Sequence, residues 1–311
     1  MIFTLTMNPS LDRYLYVDEL VEDDTVRVKK VLDYPGGKAI DVSRVIRELG
    51  GISVAVALMG GYNGRRMEEL LDEEGVIYTA IRVEPETRMN IILQVGEKQY
   101  RFSLPGQPVD RKKLEKVRET LQALVREGDW VVVSGSLPRG VSPDFYTGII
   151  FMLKQWGAKV YFDADGENLR AGLVGEPDGI KPNIYELSRI YGRSIDGGNI
   201  IEVLEAAKFV HDTYRIKEIL VSMGGEGAIL YTDEIVLRAR VPKLPVVSAV
   251  GAGDSFLAAY VLKLYEGEDR ETALRWAAAA GSAAVLTPGT ELCKKDDVLA
   301  LLDRVTIERV K

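Results

Sequence analysis

Trp130-Val131-Val132-Val133-Ser134, a turn, a helical run over 143–156 and then Lys159-Val160-Tyr161-Phe162 form one unit of apolar strand, helix and apolar strand, and this unit decides the fold class. The alternation extends in both directions. A helix over 111–126 precedes it; Gly179-Ile180-Lys181, helices over 184–191 and 200–214, and a strand over 218–222 follow. Strands alternating with helices predict a parallel, doubly wound α/β sheet with helices on both faces. Beyond it, 228–231 and 235–239 read as an antiparallel hairpin at the sheet edge, and two more helices span 253–265 and 270–286. The first strand is expected over 2–6. The loop leaving its carboxyl end, Met7-Asn8-Pro9-Ser10-Leu11-Asp12, lies where ligands collect in open α/β sheets.

Between these elements the chain carries segments of another kind. Tyr14-Leu15-Tyr16-Val17 and Val26-Arg27-Val28 have alternating polarity around an acidic linker, Glu22-Asp23-Asp24, and read as a hairpin outside the core. A second hairpin is expected from 89–95 and 98–104, joined by Gly96-Glu97. Together they predict a small four-stranded sheet inserted at 12–33 and 87–105 into a core of 1–11, 34–86 and 106–311. Such a sheet needs one face covered. A lid over the active site, paired with the same sheet of a second subunit, would meet that need and make a homodimer. After Pro35-Gly36-Gly37-Lys38 comes an amphipathic helix over 39–49, and 52–59 is a nearly continuous apolar run, as in a strand covered on both faces. Gly60-Gly61-Tyr62-Asn63-Gly64 reads as a loop before a helix over 65–74. Its spacing is not G-x-G-x-x-G, and Gly37-Lys38 is followed by Ala39, so neither a dinucleotide fingerprint nor a P-loop is present.

With 311 residues, 46% hydrophobic and 28% charged, the chain has material for a large core. Its net charge is −7 with no Lys/Arg run, which disfavours nucleic acid or an anionic membrane as partner. The longest small-apolar run, 277–286, is broken by Gly281-Ser282, so no membrane span is expected. The N-terminal segment reads as a strand and not as a signal peptide, which places the protein in the cytoplasm. One cysteine, Cys293, excludes an internal disulfide, and the one histidine, His211, sits in a helical pattern as a surface or packing residue.

Chemistry concentrates at Ser248-Ala249-Val250-Gly251-Ala252-Gly253-Asp254-Ser255-Phe256, where a glycine turn runs into an apolar helix. Gly251 and Gly253 bracket one methyl, leaving the first-turn N–H groups open to an anion. A helix N-terminus carries about half a positive charge and suits a phosphate. Asp254 is out of place in an ordinary anion site. Two readings are open: Asp254 caps the helix, or it accepts the proton of a hydroxyl that attacks a phosphoryl group.

Several stretches match one pattern in order. Gly36-Gly37-Lys38 opening a helix, Gly135-Ser136-Leu137-Pro138, Lys181-Pro182-Asn183-x-x-Glu186 and Gly251-Ala252-Gly253-Asp254 resemble the PfkB branch of the ribokinase family, over essentially the whole chain. Thr87-Arg88-x-Asn90, Tyr100-Arg101-Phe102 and Gly289-Thr290-x-Leu292-Cys293 are similar to its phosphofructokinase and tagatose-phosphate kinase subgroup. The resemblance implies a ribokinase-like fold and ATP- and Mg²⁺-dependent phosphoryl transfer to a sugar hydroxyl. It makes Asp254 the base, with the amides of Ala252, Gly253 and Asp254 around the transferring oxygens. It assigns Asn183 and Glu186 to Mg²⁺ through waters, with a helix-capping pair as the alternative, and puts Lys181 near the phosphates. Asp12, Gly36 and Gly37 fall where the family holds sugar hydroxyls. Arg88, Asn90, Arg101 and Ser136 fall where the subgroup holds an acceptor that already bears a phosphate, which arginine forks suit. Lys38 adds charge, as does Arg27, reaching across a dimer. Ser222, Gly224 and Gly227 would border the nucleotide phosphates, and the helix around Ala278 to Ser282, Gly281 included, would border adenine.

Two positions depart from the family. Asp41 replaces an amide that normally touches a sugar hydroxyl; a carboxylate accepts but does not donate, and it repels a phosphate unless Lys38 offsets it. Thr25 stands where one subgroup has lysine. The resemblance therefore implies a sugar-phosphate kinase for fructose 6-phosphate or fructose 1-phosphate. It leaves open ribose 1-phosphate, tagatose 6-phosphate or an unphosphorylated sugar as acceptor, ADP as donor, and a non-catalytic sugar-phosphate sensor.

Overall fold

A computed structural model of the chain describes residues 1–96 and 98–310. Glu97, expected at the joint of the second hairpin, lies outside the described residues, as does Lys311 at the end of the expected core. In chain order come β1 (Ile2–Thr6), β2 (Ser10–Val17), β3 (Lys30–Gly36), α1 (Lys38–Glu48), β4 (Ser53–Gly60), α2 (Gly61–Glu73) and β5 (Ile77–Val83). Next are β6 (Arg88–Val95), β7 (Lys98–Ser103), α3 (Arg111–Leu124), β8 (Trp130–Ser134), α4 (Asp144–Gln155), β9 (Lys159–Asp163), α5 (Gly166–Val174) and β10 (Gly179–Ile180). The chain ends with α6 (Ile184–Tyr191), α7 (Ile200–Tyr214), β11 (Glu218–Ser222), β12 (Ala228–Tyr231), β13 (Val236–Arg240), α8 (Ala252–Tyr265), α9 (Arg270–Ala284), α10 (Lys295–Leu302) and β14 (Thr306–Arg309).

The large sheet, among the described residues, runs β14-β13-β12-β11-β10-β9-β8-β1-β4-β5. It is parallel from β5 to β11 and antiparallel across β12, β13 and β14. Period-2 alternation supplies both faces of a buried strand: in β4, Val56 and Leu58 join the core under α3–α7, while Ala55, Ala57 and Met59 pack with α2. Helices α1, α8, α9 and α10 build the remaining core against β8, β11 and β12. The chain leaves β1 toward β4 and β5, then returns to β8 on its other side. That reversal opens a crevice at the carboxyl ends of β1, β8 and β9.

The small sheet runs β3-β2-β6-β7. Its register pairs Ser10 with Arg88, Asp12 with Asn90, Asn90 with Ser103 and Ile92 with Arg101, so these polar side chains share one face. Leu15, Val31, Ile91, Leu93, Tyr100 and Phe102 share the other, where Val31 and Phe102 are 51% and 53% exposed.

Four expectations change. Val26–Val28 is no strand: residues 18–29 form a surface loop in which Val28 is exposed, and the partner of β2 is β3, whose Pro35-Gly36 end packs on Asp12. The small-sheet strands therefore begin at Ser10 and extend to Gly36, past the expected 12–33. Gly61–Gly64 is the first turn of α2 and not a loop, because the Glu86 carboxylate accepts the free amides of Tyr62 and Asn63 at 3.2 and 2.5 Å. Finally, β14 pairs outside β13, so the 228–239 hairpin is not the edge. No described helix is long and apolar enough to cross a membrane.

Candidate active site

The turn before α8 has the geometry that its glycines predict. Gly251 is the N-cap residue at φ 74°, in the left-handed region, and no side chain caps the helix. Asp254 lies inside the first turn and leaves the amides free, so the capping reading of Asp254 is excluded. Gly253 sits under an ammonium: a Cβ there would stand 3.0 Å from Lys181 Nζ.

Charged groups from four strand ends and helix starts converge here. Lys38, at the start of α1, places Nζ 3.2 Å from Asp163 Oδ2, and Lys181 Nζ lies 3.5 Å from the same oxygen. Asp163 and Asp254 are buried, and Asp163 Oδ1 has no hydrogen-bond partner. Burial alone would raise the Asp163 pKa, but Lys181 and Lys38 together hold it below the ordinary carboxylate value. Asp254 is pushed up to about 6, first by burial; Lys38 opposes the rise, while Asp163 and Glu186 reinforce it. Burial acts to lower the Lys38 pKa, yet Asp163, Asp254 and Glu186 carry it above the ordinary value. One carboxylate is thus pinned in its charged form and its neighbour is poised to take a proton.

Asn183 and Glu186 form a reciprocal capping box on α6, with Glu186 Oε2 accepting from the Asn183 amide at 2.8 Å and Asn183 Oδ1 accepting from the Glu186 amide at 2.9 Å. The capping alternative is therefore realised; it engages the Asn183 side-chain oxygen and one of the two Glu186 oxygens, leaving Glu186 Oε1 outside the box. Burial and then Asp163 raise the Glu186 pKa, which shows that the two carboxylates share a neighbourhood.

Across the crevice, the polar face of the small sheet carries a second set. Asp12 Oδ1 accepts from Ser10 Oγ at 2.7 Å and Asn90 Nδ2 at 2.8 Å; burial raises its pKa against both bonds. Gly36 has no room for a side chain, since a Cβ would meet the Asp12 carboxylate at 2.5 Å. Gly37, at φ 125°, starts α1. Arg88 donates to Asn8 O at 3.3 Å, Asn90 Oδ1 at 3.3 Å and Ser103 Oγ at 3.2 Å, and its pKa is lowered by burial. Asn8 also donates to Ser136 Oγ at 3.0 Å, so Arg88 and Ser136 meet on one loop.

A cavity of about 660 Å³ opens on the other side of the α8 turn. Asn183, Ser222, Gly224, Gly227 and Gly281 line it, and Ala252 and Gly253 form its junction with the charged cluster. Gly281 lets α9 approach, because its Cβ would lie 3.2 Å from Ala252 O.

Three expected residues behave otherwise. Arg101 is exposed and donates to Gln99 Oε1 at 2.7 Å; it shares a sheet face with Arg88 without joining its bonds. Arg27 lies in the exposed 18–29 loop. Asp41 is offset by Arg44, whose Nη1 is 3.1 Å from Asp41 Oδ1, and not by Lys38, which Asp163 engages. The sequence reading also passed over Asp163 by ending its strand at Phe162. An acid at the carboxyl end of an otherwise apolar strand is the signal that marks it.

The model of the pfkB family carbohydrate kinases matches residues 3–297. ATP-dependent 6-phosphofructokinase isozyme 2 of Escherichia coli is 35% identical over 300 residues, covering 95% of this chain and 96% of that protein. The 1-phosphofructokinase of Bacillus subtilis is 33% identical over 310 residues, covering 100% of both. The solved structure of phosphofructokinase-2 from Escherichia coli in complex with substrates and products superposes with a TM-score of 0.92 at 33% identity, over 97% of this chain and 98% of that one. The large sheet with its helices and the separate small sheet are the ribokinase-like arrangement. The chain belongs to the pfkB family of carbohydrate kinases, phosphotransferases that act on an alcohol group.

Proposed function

We propose that the protein transfers the terminal phosphoryl group of ATP to a primary hydroxyl of a furanose phosphate, fructose 6-phosphate or fructose 1-phosphate. The observation that carries this reading is Asp254: a buried carboxylate with its pKa pushed up to about 6, in the uncapped first turn of α8, beside two lysines. In the forward reaction the acceptor hydroxyl gives its proton to Asp254, its oxygen bonds to the γ-phosphorus, the bond to the β-phosphate bridge breaks, and ADP leaves. The amides of Ala252, Gly253 and Asp254 stabilise the charge on the transferring oxygens, and Lys181 and Lys38 add positive potential. The 660 Å³ cavity accommodates the nucleotide, with its glycine-rich end toward the phosphates. Asp12, Asn90 and the Gly36-Gly37 backbone orient the sugar, and Arg88 with Ser136 takes the phosphate it already bears.

Mg²⁺ fits this donor set. Asp163 has a buried oxygen without a partner, and the available ligands are hard oxygens. Among the described residues no three carboxylates or histidines form a cage, so Asp163 and Glu186 would hold the ion through waters and the nucleotide. When bound, it neutralises charge on the phosphates. The small sheet, with strands Ser10–Val17, Lys30–Gly36, Arg88–Val95 and Lys98–Ser103, acts as a lid over the rest. Its outward apolar face pairs with that of a second subunit, and the lone buried Cys293 suits a reducing cytoplasm.

The test is release of ADP with ATP and Mg²⁺ across fructose 6-phosphate, fructose 1-phosphate, tagatose 6-phosphate, ribose 1-phosphate and free sugars. Selective turnover of a hexose phosphate supports the reading. Selective turnover of a pentose phosphate or a free sugar moves the acceptor elsewhere and makes Asp41 the specificity switch.

A further inference from the structure

Lys38, Asp41 and Arg44 follow one another at three-residue spacing and therefore share a face of α1. Lys38 enters the charged cluster through Asp163. Arg44, at the other end of this face, is buried and joins four parts of the molecule. Its Nε and Nη2 grip the Glu74 carboxylate at the end of α2, at 2.6 and 2.8 Å. Its Nη1 donates to Asp41 Oδ1 at 3.1 Å, to Pro35 O in β3 at 3.3 Å and to Thr290 O at 3.0 Å. Its Cζ lies 5.9 Å from the centre of the Tyr34 ring, and the Tyr34 hydroxyl donates to Glu291 Oε1 at 3.0 Å.

These contacts fix two things next to the acceptor position. Pro35 immediately precedes Gly36, whose Cα hydrogens face the Asp12 carboxylate, so holding the Pro35 carbonyl holds the floor under Asp12. Asp41 is buried, and Asp12 and Asp254 both act on it electrostatically, so three carboxylates lie near one another beside the proposed acceptor position. Without a counter-charge they would repel it. Arg44 is the cation bonded to Asp41.

We infer that Arg44 is a positioning residue for the phosphoryl acceptor: it supplies the counter-charge to Asp41 and ties the root of the small sheet to the Thr290-Glu291 loop. Acceptor affinity depends on it, and nucleotide affinity does not. The inference rests on the phosphotransfer reading above. It predicts that Asp41, which departs from the family pattern, works only together with Arg44.

The experiment measures fructose 6-phosphate and ATP affinities by calorimetry, alongside steady-state KM, in Arg44→Gln, Arg44→Lys and the double variant Arg44→Gln/Asp41→Asn. Arg44→Gln should weaken fructose 6-phosphate at least tenfold and leave ATP within twofold. The double variant should recover most of that loss, because the buried Asp41 carboxylate is gone, while Glu74, which also loses its partner, is a third exposed and reaches water. Equal weakening of both ligands, or a double variant no better than the single one, would overturn the inference in favour of a purely structural role. If Arg44→Gln does not fold, Arg44→Lys decides: it keeps the charge but loses the fork, and should weaken the acceptor about threefold with ATP unchanged, whereas no change, or equal change for both ligands, overturns it. Wild-type protein that binds both ligands without turnover would defeat the phosphotransfer reading, with the Arg44 effect on acceptor affinity still readable.

Discussion

At the scale of single residues, Asp254 as the proposed base has to be ionised to accept a proton, and its pKa is raised to about 6. Activity should therefore fall about tenfold per pH unit below that value, a limb read from kcat/KM against pH. Lys38 is the largest influence opposing the rise, so Lys38→Gln should move the limb to higher pH. The same shift bears on stability. A carboxylic acid whose folded pKa exceeds its unfolded value favours folding most at low pH, and that contribution is lost as pH rises through about 6. At neutral pH the charged Asp254 is then a burden, within a cluster of three carboxylates and two lysines. Asp254→Asn should raise Tm by ~2 °C or more while activity collapses. A thermal melt at pH 7.5 that shows a lower Tm would contradict this electrostatic picture.

At the scale of elements, the glycines at the starts of α1 and α8 are sites of close approach. Gly36→Ala would drive a methyl against the Asp12 carboxylate, and should raise the acceptor KM about tenfold with ATP KM unchanged, as steady-state kinetics would show. These turns were legible in sequence because glycine spacing reports backbone geometry directly. Elements such as α6 and α7 were legible to the residue because their apolar periodicity and their Asn183 and Asn199 caps agree. The loop over 18–29 was not, because Val26 and Val28 have strand-like residue types but no face to pack on. The convergence of Lys38, Asp163 and Lys181 was hidden for another reason. They stand on elements far apart in the chain, and only the order of strands brings them together.

At the scale of the whole molecule, the apolar outer face of the small sheet leaves Tyr100 and Phe102 exposed and Leu93 half-buried among the described residues. If the chain pairs through this face as proposed, Phe102→Asp should convert the dimer to monomer in sedimentation or light scattering, and a wild type that is already monomeric would contradict the pairing. If Arg27 reaches a neighbouring subunit's site, the acceptor KM should rise with that dissociation. The proposed chemistry turns on Asp254 as the base in phosphoryl transfer to a sugar phosphate. Its most direct measurement is the rate of phosphoryl transfer to fructose 6-phosphate or fructose 1-phosphate, whichever the wild type turns over, by Asp254→Asn under saturating ATP and Mg²⁺, with ATP affinity measured on the same sample. If Asp254 is the base, kcat falls about 10³-fold with ATP affinity retained; a rate within tenfold of wild type would rule that role out.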